Sequence, residues 1–329
     1  MARIAVIGAG YWGRNLVRNF YELGVLDSVA DIDDAARQVI ENQYPRIKLY
    51  KSYDAIFSDP EIDGVVIATP AVAHGVLTHK ALSSGKHVFV EKPLCLDVQE
   101  AVQLSDLADN KGLILMVGHL LLYHPAFIEL LRIVRTNHLG KLRYIHSNRL
   151  SLGKIRREEN ALWSFAPHDI SMILQLTGQM PERVMASGAQ YLTDGVADTT
   201  LSHFVFSNNL QAHVYVSWLH PFKEQKLVVV GEKAMVVFDD TKCLEEKLLL
   251  YRHEIGWNGE IPIISKVDPQ PIIFSDSEPL RNECNSFLKA IKGQASPPSD
   301  ASEGIQVLRI LEACQTSILT GEPVYVSAP

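Results

Sequence analysis

The chain has 329 residues, of which 47% are hydrophobic and 21% are charged, and 31 basic against 38 acidic residues give a formal net charge of −7. This length predicts two domains, and the negative balance disfavours a general nucleic-acid surface. No apolar run reaches the ~20 residues of a membrane helix, and the N-terminus enters a strand with no room for a signal peptide, so we expect a cytoplasmic protein without a membrane partner. The four cysteines form no CxxC pair, which favours buried reduced thiols over a metal or redox site; they are Cys95, Cys243, Cys284 and Cys314.

The first motif in the chain is RIAVIGAGYWG, close to the N-terminus. Ile4–Ile7 is an uninterrupted apolar run, typical of a buried parallel strand, and Gly8, Gly10 and Gly13 follow it in GxGxxG spacing. This spacing turns a strand tightly into a helix and leaves room for a pyrophosphate at the helix N-terminus. Since Arg14–Leu23 then carries apolar residues at helical spacing, we predict a dinucleotide-binding turn. The alternative is a purely structural turn.

A second predicted strand, Ser28–Ile32, ends in a cluster of acids. An acid about 20 residues beyond the glycines is where a Rossmann fold binds the ribose hydroxyls, and its charge repels the 2′-phosphate of NADP. Asp31 is the first choice for this position, which predicts NAD as cofactor. Asp33 suits the N-cap of the following predicted helix, Asp34–Asn42. The alternative is that all of these acids only cap that helix.

Strands and helices continue to alternate up to residue 117. The predicted elements are the strands Gly64–Ala68, His87–Val90 and Leu113–Val117 and the helices Ala71–Ser84 and Asp97–Asn110. Such alternation predicts an α/β fold, with a Rossmann doubly wound parallel sheet in an NAD-binding domain over residues 1–122. Ligands of such a sheet bind at the carboxyl ends of its strands. This rule selects as cofactor-facing residues Thr69, Pro70, Glu91, Lys92, Pro93 and His119.

From Tyr123 the pattern changes to that of a second domain, residues 123–329. A helix Pro125–Thr136 is followed by a half-exposed strand Leu142–Arg149 and by a helix through His168–Leu176, with Pro167 at its approach. Several strands then come in succession, at Arg183–Gln190, Thr200–Phe206, Gln211–Trp218, Lys226–Val230 and Ala234–Phe238, before closing helices near Pro279–Ile291 and Ser302–Thr320. We therefore predict an α+β substrate-binding domain with a large, mainly antiparallel open sheet.

The open face of this sheet is the expected surface for self-association. Val214, Tyr215, Val216 and Trp218 would place apolar side chains on both sides of one strand. Such a strand would leave a large apolar patch in water unless another copy covered it.

Four motifs resemble the glucose-fructose oxidoreductase, inositol dehydrogenase and MocA (Gfo/Idh/MocA) family in order and spacing. They are GAGYWG at 8–13, ATPAVAH at 68–74, EKPL at 91–94 and HDI at 168–170, and the resemblance covers nearly the whole chain. It implies that Lys92 is the active-site lysine, that Glu91 and Pro93 shape its turn, and that the cofactor lies along Tyr11, Trp12, Thr69, Pro70 and His74. The alternatives are a surface ammonium for Lys92 and a place on the polar face of a helix for His74.

The resemblance also implies that His168 acts with Lys92 on the reacting hydroxyl, one as base and the other as orienting donor. The family's aspartate four residues before this histidine is Ser164 here. The alternatives are a core histidine at His168 and a capping or packing acid at Asp169. A second departure is GHLLLY at 118–123, where many relatives carry polar or arginine residues, and we expect its leucines to be buried.

A basic cluster, Lys154, Arg156 and Arg157, precedes the His168 helix, and arginine forks suit phosphate oxygens. The alternative is that these charges pair with Glu158 and Glu159 on a solvated loop. The run NRLSLGKIRREENALWSFAPHDI resembles family members that act on UDP-N-acetylated sugars, which implies a pocket that also includes Trp163, Ser164 and His168.

Those family members oxidise the C3 hydroxyl to a ketone for a later aminotransferase in lipid A or surface-polysaccharide synthesis. The resemblance thus implies a UDP-sugar substrate, and a homodimer or homotetramer formed through the C-terminal sheet. The alternatives are UDP-N-acetylglucosaminuronate, a free sugar or inositol as substrate, and an NAD-binding regulator without catalysis.

Overall fold

A computed structural model describes residues 2–326, and they divide into two compact units. The first unit combines residues 2–123 with residues 278–308, and the second combines residues 124–277 with residues 309–326. The expected division into 1–122 and 123–329 differs from this at Tyr123 and at residues 278–308. That segment returns to the first unit because Phe287 packs its ring against Phe89, with ring centroids 5.8 Å apart.

The first unit is built on a six-stranded parallel sheet, ordered β3-β2-β1-β4-β5-β6. Its strands are β1 (Ile4–Ile7), β2 (Leu26–Ala30), β3 (Lys48–Tyr50), β4 (Gly64–Ile67), β5 (His87–Glu91) and β6 (Leu115–Gly118). The helices of this stretch are α1 (Gly13–Glu22), α2 (Asp34–Gln43), α3 (Asp54–Ser58), α4 (His74–Ser83) and α5 (Val98–Lys111). The predicted Rossmann sheet is confirmed, and β3 and α3 are additional short elements that the sequence pattern did not indicate.

Two aspartates begin helices of the first unit as expected. Asp33 accepts a hydrogen bond from the Ala35 amide, and Asp97 accepts one from the Glu100 amide. Helix α4 begins three residues later than predicted, because residues 71–73 form a separate 3-10 turn. The leucine run after β6 is mostly buried, since Leu121 and Leu122 lie in the core.

The returning segment extends the first sheet beyond β6. The Val117 amide donates to the Ser299 carbonyl over 2.8 Å, and Met116 forms an antiparallel bridge with Asp300. Helix α8 (Pro279–Ile291) and the start of helix α9 (Ala301–Thr320) therefore belong to the first unit.

The second unit is built on a nine-stranded sheet, ordered β16-β13-β12-β11-β7-β10-β9-β8-β17. Its strands are β7 (Leu142–Leu152), β8 (Arg183–Ala189), β9 (Thr199–Val205), β10 (Gln211–Ser217), β11 (Leu219–Gly231), β12 (Met235–Asp239), β13 (Leu248–Tyr251), β16 (Gln270–Pro271) and β17 (Val324–Tyr325). A separate hairpin pairs β14 (Glu254–Asn258) with β15 (Ile261–Ser265). Only the β7–β10 pair of the sheet is parallel, so the predicted, mainly antiparallel sheet is confirmed.

Two helices of the second unit precede β8, namely α6 (Pro125–Arg135) and α7 (Ala161–Thr177). Helix α7 begins seven residues before the predicted start, and Pro167 lies inside it. Asn160 caps the helix by accepting from the Trp163 amide, and most of the helix is buried. Burial and capping therefore outweigh the one backbone hydrogen bond that a proline removes.

The two faces of the nine-stranded sheet differ more than the sequence suggested. Val214, Val216 and Trp218 are all buried, whereas Tyr215 points to the opposite, half-exposed face. The predicted apolar patch on both sides of β10 is therefore reduced to the side of Tyr215.

Cysteine exposure also departs from expectation at one position, because Cys243 is exposed while the other three thiols are buried. Between residues 2 and 326, no helix combines the length and apolarity needed to cross a bilayer. The same residues contain no cluster of three or more His, Cys, Asp or Glu side chains arranged to hold a metal ion.

Candidate active site

The glycine turn after β1 leaves no space for side chains at two of its three glycines. Gly8 has a φ of +98°, and a Cβ there would lie 2.6 Å from the Ala68 carbonyl oxygen. A Cβ on Gly13 would lie 2.0 Å from the Gly8 carbonyl oxygen, so α1 begins in direct contact with the turn. Gly10 has no atom within 4 Å of its Cβ position. Gly10 thus faces open space at the N-terminus of α1, where a pyrophosphate could approach the backbone.

Asp31 follows the last residue of β2 and is held by the glycine turn. One carboxylate oxygen accepts from the Ala9 amide over 2.6 Å, and the other accepts from the Asp33 amide over 2.9 Å. Asp33 itself caps α2, as predicted. Fixed beside the glycine turn, the Asp31 carboxylate occupies the place where a Rossmann fold binds the ribose.

Thr69 supplies an unsatisfied polar atom near the same turn. It lies two residues beyond β4, and its hydroxyl is shielded from solvent without a hydrogen-bond partner among residues 2–326. Because ligands of a parallel sheet bind at the carboxyl ends of its strands, this hydroxyl lies where it could contact a cofactor. The neighbouring Pro70 is exposed, as is Tyr11 in the glycine turn. The open Gly10, the fixed Asp31 and this hydroxyl together fit a dinucleotide.

Glu91, the last residue of β5, connects the glycine turn to the turn that carries Lys92. Its carboxylate accepts from the Trp12 indole over 2.5 Å and from the Lys92 amide over 3.3 Å. The carboxylate lies against Gly118 of β6, where a Cβ would come within 2.8 Å of it. Burial raises the pKa of Glu91 to about 6, although the Trp12 hydrogen bond and the Lys92 charge act to lower that pKa.

A second acid near Glu91 was not indicated by the sequence pattern. Glu283 on α8 is fully buried, and neither of its oxygens has a hydrogen-bond partner among the residues that the structure describes. Burial, together with the charge of Glu91, raises the pKa of Glu283 well above its ordinary value. Burial therefore favours the neutral form of Glu283, and Glu91 is the carboxyl of this pair whose pKa of about 6 lies near neutrality.

His74 lies behind the cofactor-facing turns rather than along them. Its Nδ1 is 2.6 Å from the Pro93 carbonyl oxygen and its Nε2 is 2.8 Å from the Thr69 carbonyl oxygen. With only 1% of its surface exposed, the ring joins the turns after β4 and β5 from inside the fold. This differs from the expected direct contact with the cofactor, because backbone carbonyls already occupy both nitrogens.

His119, at the end of β6, is also buried instead of facing the cofactor. Only 2% of the residue is exposed, and its Nδ1 is 2.5 Å from a carboxylate oxygen of Glu303 on α9. The partner lies 184 residues away in sequence, in the segment that returns to the first unit. The structure therefore gives His119 a supporting place beside Gly118 and Glu91.

In the second unit, Ser164 and His168 lie on one face of α7, one turn apart. Ser164 is buried, whereas His168, Phe165 and Trp163 are half-buried and so keep part of their surface available. His168 follows Pro167, and Asn160 fixes the start of the helix by also donating to Gln315 on α9 over 2.7 Å. The helix is thus anchored before the turn that carries His168.

Asp169 forms a buried ion pair with a residue that the sequence pattern did not predict as its partner. The Arg149 guanidinium donates to both of its carboxylate oxygens, over 2.7 and 3.1 Å, and the Ser147 hydroxyl adds a bond of 2.6 Å. All three residues are buried between α7 and β7. Asp169 therefore fixes α7 on the sheet and holds the neighbouring His168 in place. The alternation of Ile145, Ser147 and Arg149 could have indicated this ion pair, because it puts a positive charge on the buried face of β7.

The basic cluster is divided between paired and exposed charges. Arg156 forms an ion pair with Glu159 over 3.0 Å, as the solvated-loop alternative predicts. Lys154 and Arg157 are exposed, and neither forms an ion pair within residues 2–326. Two of the three positive charges therefore remain available to an anionic ligand.

Comparison with known proteins identifies relatives over most of the length of the chain. Residues 2–119 match the family model described as an oxidoreductase family with an NAD-binding Rossmann fold, and residues 127–237 match the model of the GFO/IDH/MocA C-terminal domain. The chain is similar to UDP-N-acetylglucosamine 3-dehydrogenase of Acidithiobacillus ferrooxidans, with 28% identity over 93% of this chain and 94% of that protein. It is also 31% identical to the uncharacterized oxidoreductase ORF334 of Rhizobium meliloti, over 83% of this chain and 82% of that protein.

Solved structures agree with this fold. One structure of the Acidithiobacillus ferrooxidans enzyme matches with a TM-score of 0.84 and 26% identity, covering 96% of this chain and 97% of that chain. GenD2 from gentamicin A biosynthesis, solved in complex with NAD, has the same fold at 20% identity, with a TM-score of 0.84 and coverage of 100% of this chain and 97% of that chain.

Two alanine substitutions should separate the binding part of the glycine turn from its folding part. We expect Gly10→Ala to raise the dissociation constant for NADH about tenfold or more without lowering stability. The added Cβ would touch no protein atom but would occupy space that the pyrophosphate needs. Gly13→Ala should instead lower the free energy of unfolding by roughly 1–3 kcal/mol, because its Cβ overlaps the Gly8 carbonyl. NADH fluorescence titration and urea unfolding measure the two effects. Equal loss of stability in both variants would contradict this division.

The pKa of Glu91 predicts a titration that Trp12 reports. As the pH rises through about 6, Glu91 ionises and its hydrogen bond from the Trp12 indole strengthens, so tryptophan fluorescence should change in one step there. Glu91→Gln should remove this step, and Trp12→Phe should remove the probe while leaving Glu91 in place. A step of undiminished size in Glu91→Gln would assign it to another group.

Proposed function

Because the chain belongs to the GFO/IDH/MocA family of NAD-binding oxidoreductases, we propose that it oxidises the C3 hydroxyl of a UDP-N-acetylated sugar, UDP-N-acetylglucosamine first, to the 3-ketone. The family relationship makes the chain an NAD-dependent oxidoreductase. The finer assignment is supported by one observation above the others: its similarity to a UDP-N-acetylglucosamine 3-dehydrogenase extends along nearly the whole of both proteins. The ketone formed is the functional group that an aminotransferase consumes.

Cofactor binding is assigned to the first unit. Amides of the glycine turn around Gly10 hold the pyrophosphate, Asp31 binds the ribose hydroxyls, and the Thr69 hydroxyl gains a partner that residues 2–326 do not provide. NAD, when bound, supplies the hydride acceptor. Trp12 and Glu91 hold the glycine turn against the turn of Lys92, so cofactor and lysine are positioned together.

Proton transfer is assigned to Lys92 and His168, one as base and the other as the donor that orients the hydroxyl. A lysine accepts a proton when burial or a nearby positive charge lowers its pKa, and a histidine does so close to neutrality. His168 precedes Asp169, which the Arg149 ion pair fixes on β7. Because Ser164 replaces the family's aspartate, proton transfer is assigned to Lys92 and His168 alone.

The UDP group is assigned to the exposed charges of the basic cluster. Lys154 and Arg157 carry positive charge without an ion-pair partner in the described part of the chain, and a diphosphate would supply that partner. Arg156 already forms an ion pair with Glu159, so it contributes less to binding of the diphosphate. Trp163, half-buried at the start of α7, offers an aromatic surface to the sugar or the uracil.

Self-association is assigned to the open face of the nine-stranded sheet. Tyr215, Val228 and Val237 lie on that face as half-buried side chains of neighbouring strands. A homodimer or homotetramer that covers this face would remove these side chains from water.

A panel of substrates tests the reaction and its class. We expect NAD reduction with UDP-N-acetylglucosamine and little or none with glucose or myo-inositol, because only the nucleotide sugar offers a diphosphate to Lys154 and Arg157. Following NADH absorbance with these compounds and with UDP-N-acetylglucosaminuronate in parallel makes the comparison. Reduction only with the uronate would change the substrate, reduction with the free sugars would remove the UDP proposal, and no reduction with any would favour an NAD-binding regulator.

Two alanine variants test the assigned acid–base pair. Lys92→Ala and His168→Ala should each lower kcat by about 100-fold or more, since a positioned acid–base group usually contributes a rate factor of this size. NADH affinity should stay within a few-fold of that of the original protein. Arg157→Ala is the matched control on the binding side, and we expect it to raise KM with kcat nearly unchanged. Unchanged turnover in both alanine variants would contradict the assignment.

A further inference from the structure

The end of β2 is bonded to a cationic side chain that the proposed function does not use. Arg37, on α2, folds back so that its Nη1 donates to the Asp31 carbonyl oxygen over 2.6 Å. Its Nη2 forms an ion pair with the Asp34 carboxylate, one helical turn earlier. The Arg37 side chain is 18% exposed and that of Asp34 is 82% exposed, so the acid is the more accessible member of the pair.

The position of Arg37 matters because NAD and NADP differ at the ribose that Asp31 would bind. A Rossmann fold binds the 2′-hydroxyl of NAD with an acid near the end of β2, and it accommodates the 2′-phosphate of NADP with a nearby arginine. This chain has both groups, since the Asp31 carboxylate is fixed by two amides and Arg37 is bonded to the carbonyl of the same residue. An acid and an arginine at one ribose favour opposite cofactors, so their surroundings decide which of them prevails.

The ion pair with Asp34 limits what Arg37 can bind. A guanidinium carries five N–H donors in a planar fork, and its strongest contact with a phosphate uses two of them in parallel. In Arg37, one Nη is bonded to the Asp31 carbonyl and the other to Asp34. Asp33 and Asp34 also place negative charge at the N-terminus of α2, a position that would otherwise favour an anion. A 2′-phosphate would therefore have to displace Asp34 and approach these acids.

Other cations border this edge of the sheet without the same contacts. Arg14, on α1, donates its Nε to a carbonyl of the glycine turn over 3.2 Å and is exposed. Lys51, directly after β3, is exposed and precedes the acid Asp54 at the start of α3. Among these three cations, only Arg37 forms an ion pair within residues 2–326, and its partner is Asp34. Arg37 is thus the cation whose availability Asp34 controls.

We propose that Arg37 is a ligand for a 2′-phosphate that the chain keeps occupied, and that Asp34, by pairing with it, acts with Asp31 to select NAD over NADP. This inference rests on the part of the proposed function that assigns a dinucleotide to the glycine turn, and it does not depend on the sugar substrate or on the acid–base pair. Selection then comes from repulsion and from an occupied donor, in addition to the contact that Asp31 makes with NAD.

Fluorescence titration with NADH and with NADPH measures this selection without turnover. We expect the original protein to bind NADPH at least about tenfold more weakly than NADH, because like charges would meet at the 2′-phosphate. Asp34→Ala should bind NADPH about tenfold more tightly than the original protein does, because Arg37 can then form a charge-assisted bond to the phosphate. Its affinity for NADH should change far less. Glu41→Ala is the matched control, since it removes the same charge from an exposed position about two turns further along α2.

A second pair of variants identifies the cation that binds the phosphate. The gain in NADPH affinity should be lost in Asp34→Ala/Arg37→Gln and kept in Asp34→Ala/Lys51→Gln. NADH should still bind to Asp34→Ala/Arg37→Gln, though several-fold more weakly, because Arg37 no longer holds the Asp31 carbonyl. Retained NADH binding also shows that the double variant is folded.

Four results would overturn the proposal. They are tighter binding of NADPH than of NADH by the original protein, an unchanged NADPH affinity in Asp34→Ala, an equal gain in Glu41→Ala, and a gain that depends on Lys51 instead of Arg37. Failure of the original protein to bind either cofactor would overturn this proposal together with the assignment of the glycine turn. The two failures are therefore distinguishable, because only the second removes NADH binding.

Discussion

The backbone turn that follows β1 is the constraint on which the first unit depends. Gly8 lies so close to the end of β4, and Gly13 so close to Gly8, that neither position has room for a Cβ. This close packing brings the N-terminus of α1 directly over the strand ends, so its free amides face the ligand's space. Gly10, which alone of the three faces open space, is left to accept the pyrophosphate.

The other cofactor-facing turns are joined to this one by specific bonds. Asp31 links the end of β2 to Ala9, and Glu91 links the end of β5 to Trp12. His74 ties the turn after β4 to the turn after β5 through two backbone carbonyls. Because each bond joins turns that follow two different strands, the loops that would bind NAD are held in position before any ligand arrives, which lowers the entropy lost on binding.

The sequence predicts the parts of this arrangement that rest on local chemistry. The glycine spacing, the caps at Asp33 and Asp97 and the strand–helix alternation follow from neighbouring residues, and the structure has them as expected. The placement of His119 could not be predicted in this way, because Glu303 lies far along the chain in a segment that returns to the first unit. Long-range pairing of this kind depends on the tertiary fold.

Local rules also failed where burial outweighed propensity. Pro167 would ordinarily mark a helix start, yet α7 continues through it because the helix is capped at Asn160 and buried along most of its length. The β14–β15 hairpin is exposed although Ile261, Ile263 and Ile264 place apolar side chains on both sides of β15, a pattern that is typical of a buried strand. The buried Arg149, in contrast, was foreseeable from alternation along β7, which required an acid such as Asp169 beside it.

The central claim is that a hydride passes from C3 of a UDP-N-acetylated sugar to NAD held at the glycine turn. Incubation with UDP-N-acetylglucosamine that carries deuterium at C3, followed by mass spectrometry of the cofactor, tests it most directly. The account predicts that the reduced cofactor carries the deuterium. Reduced cofactor without the label, or a label that stays in the oxidised sugar, would contradict it.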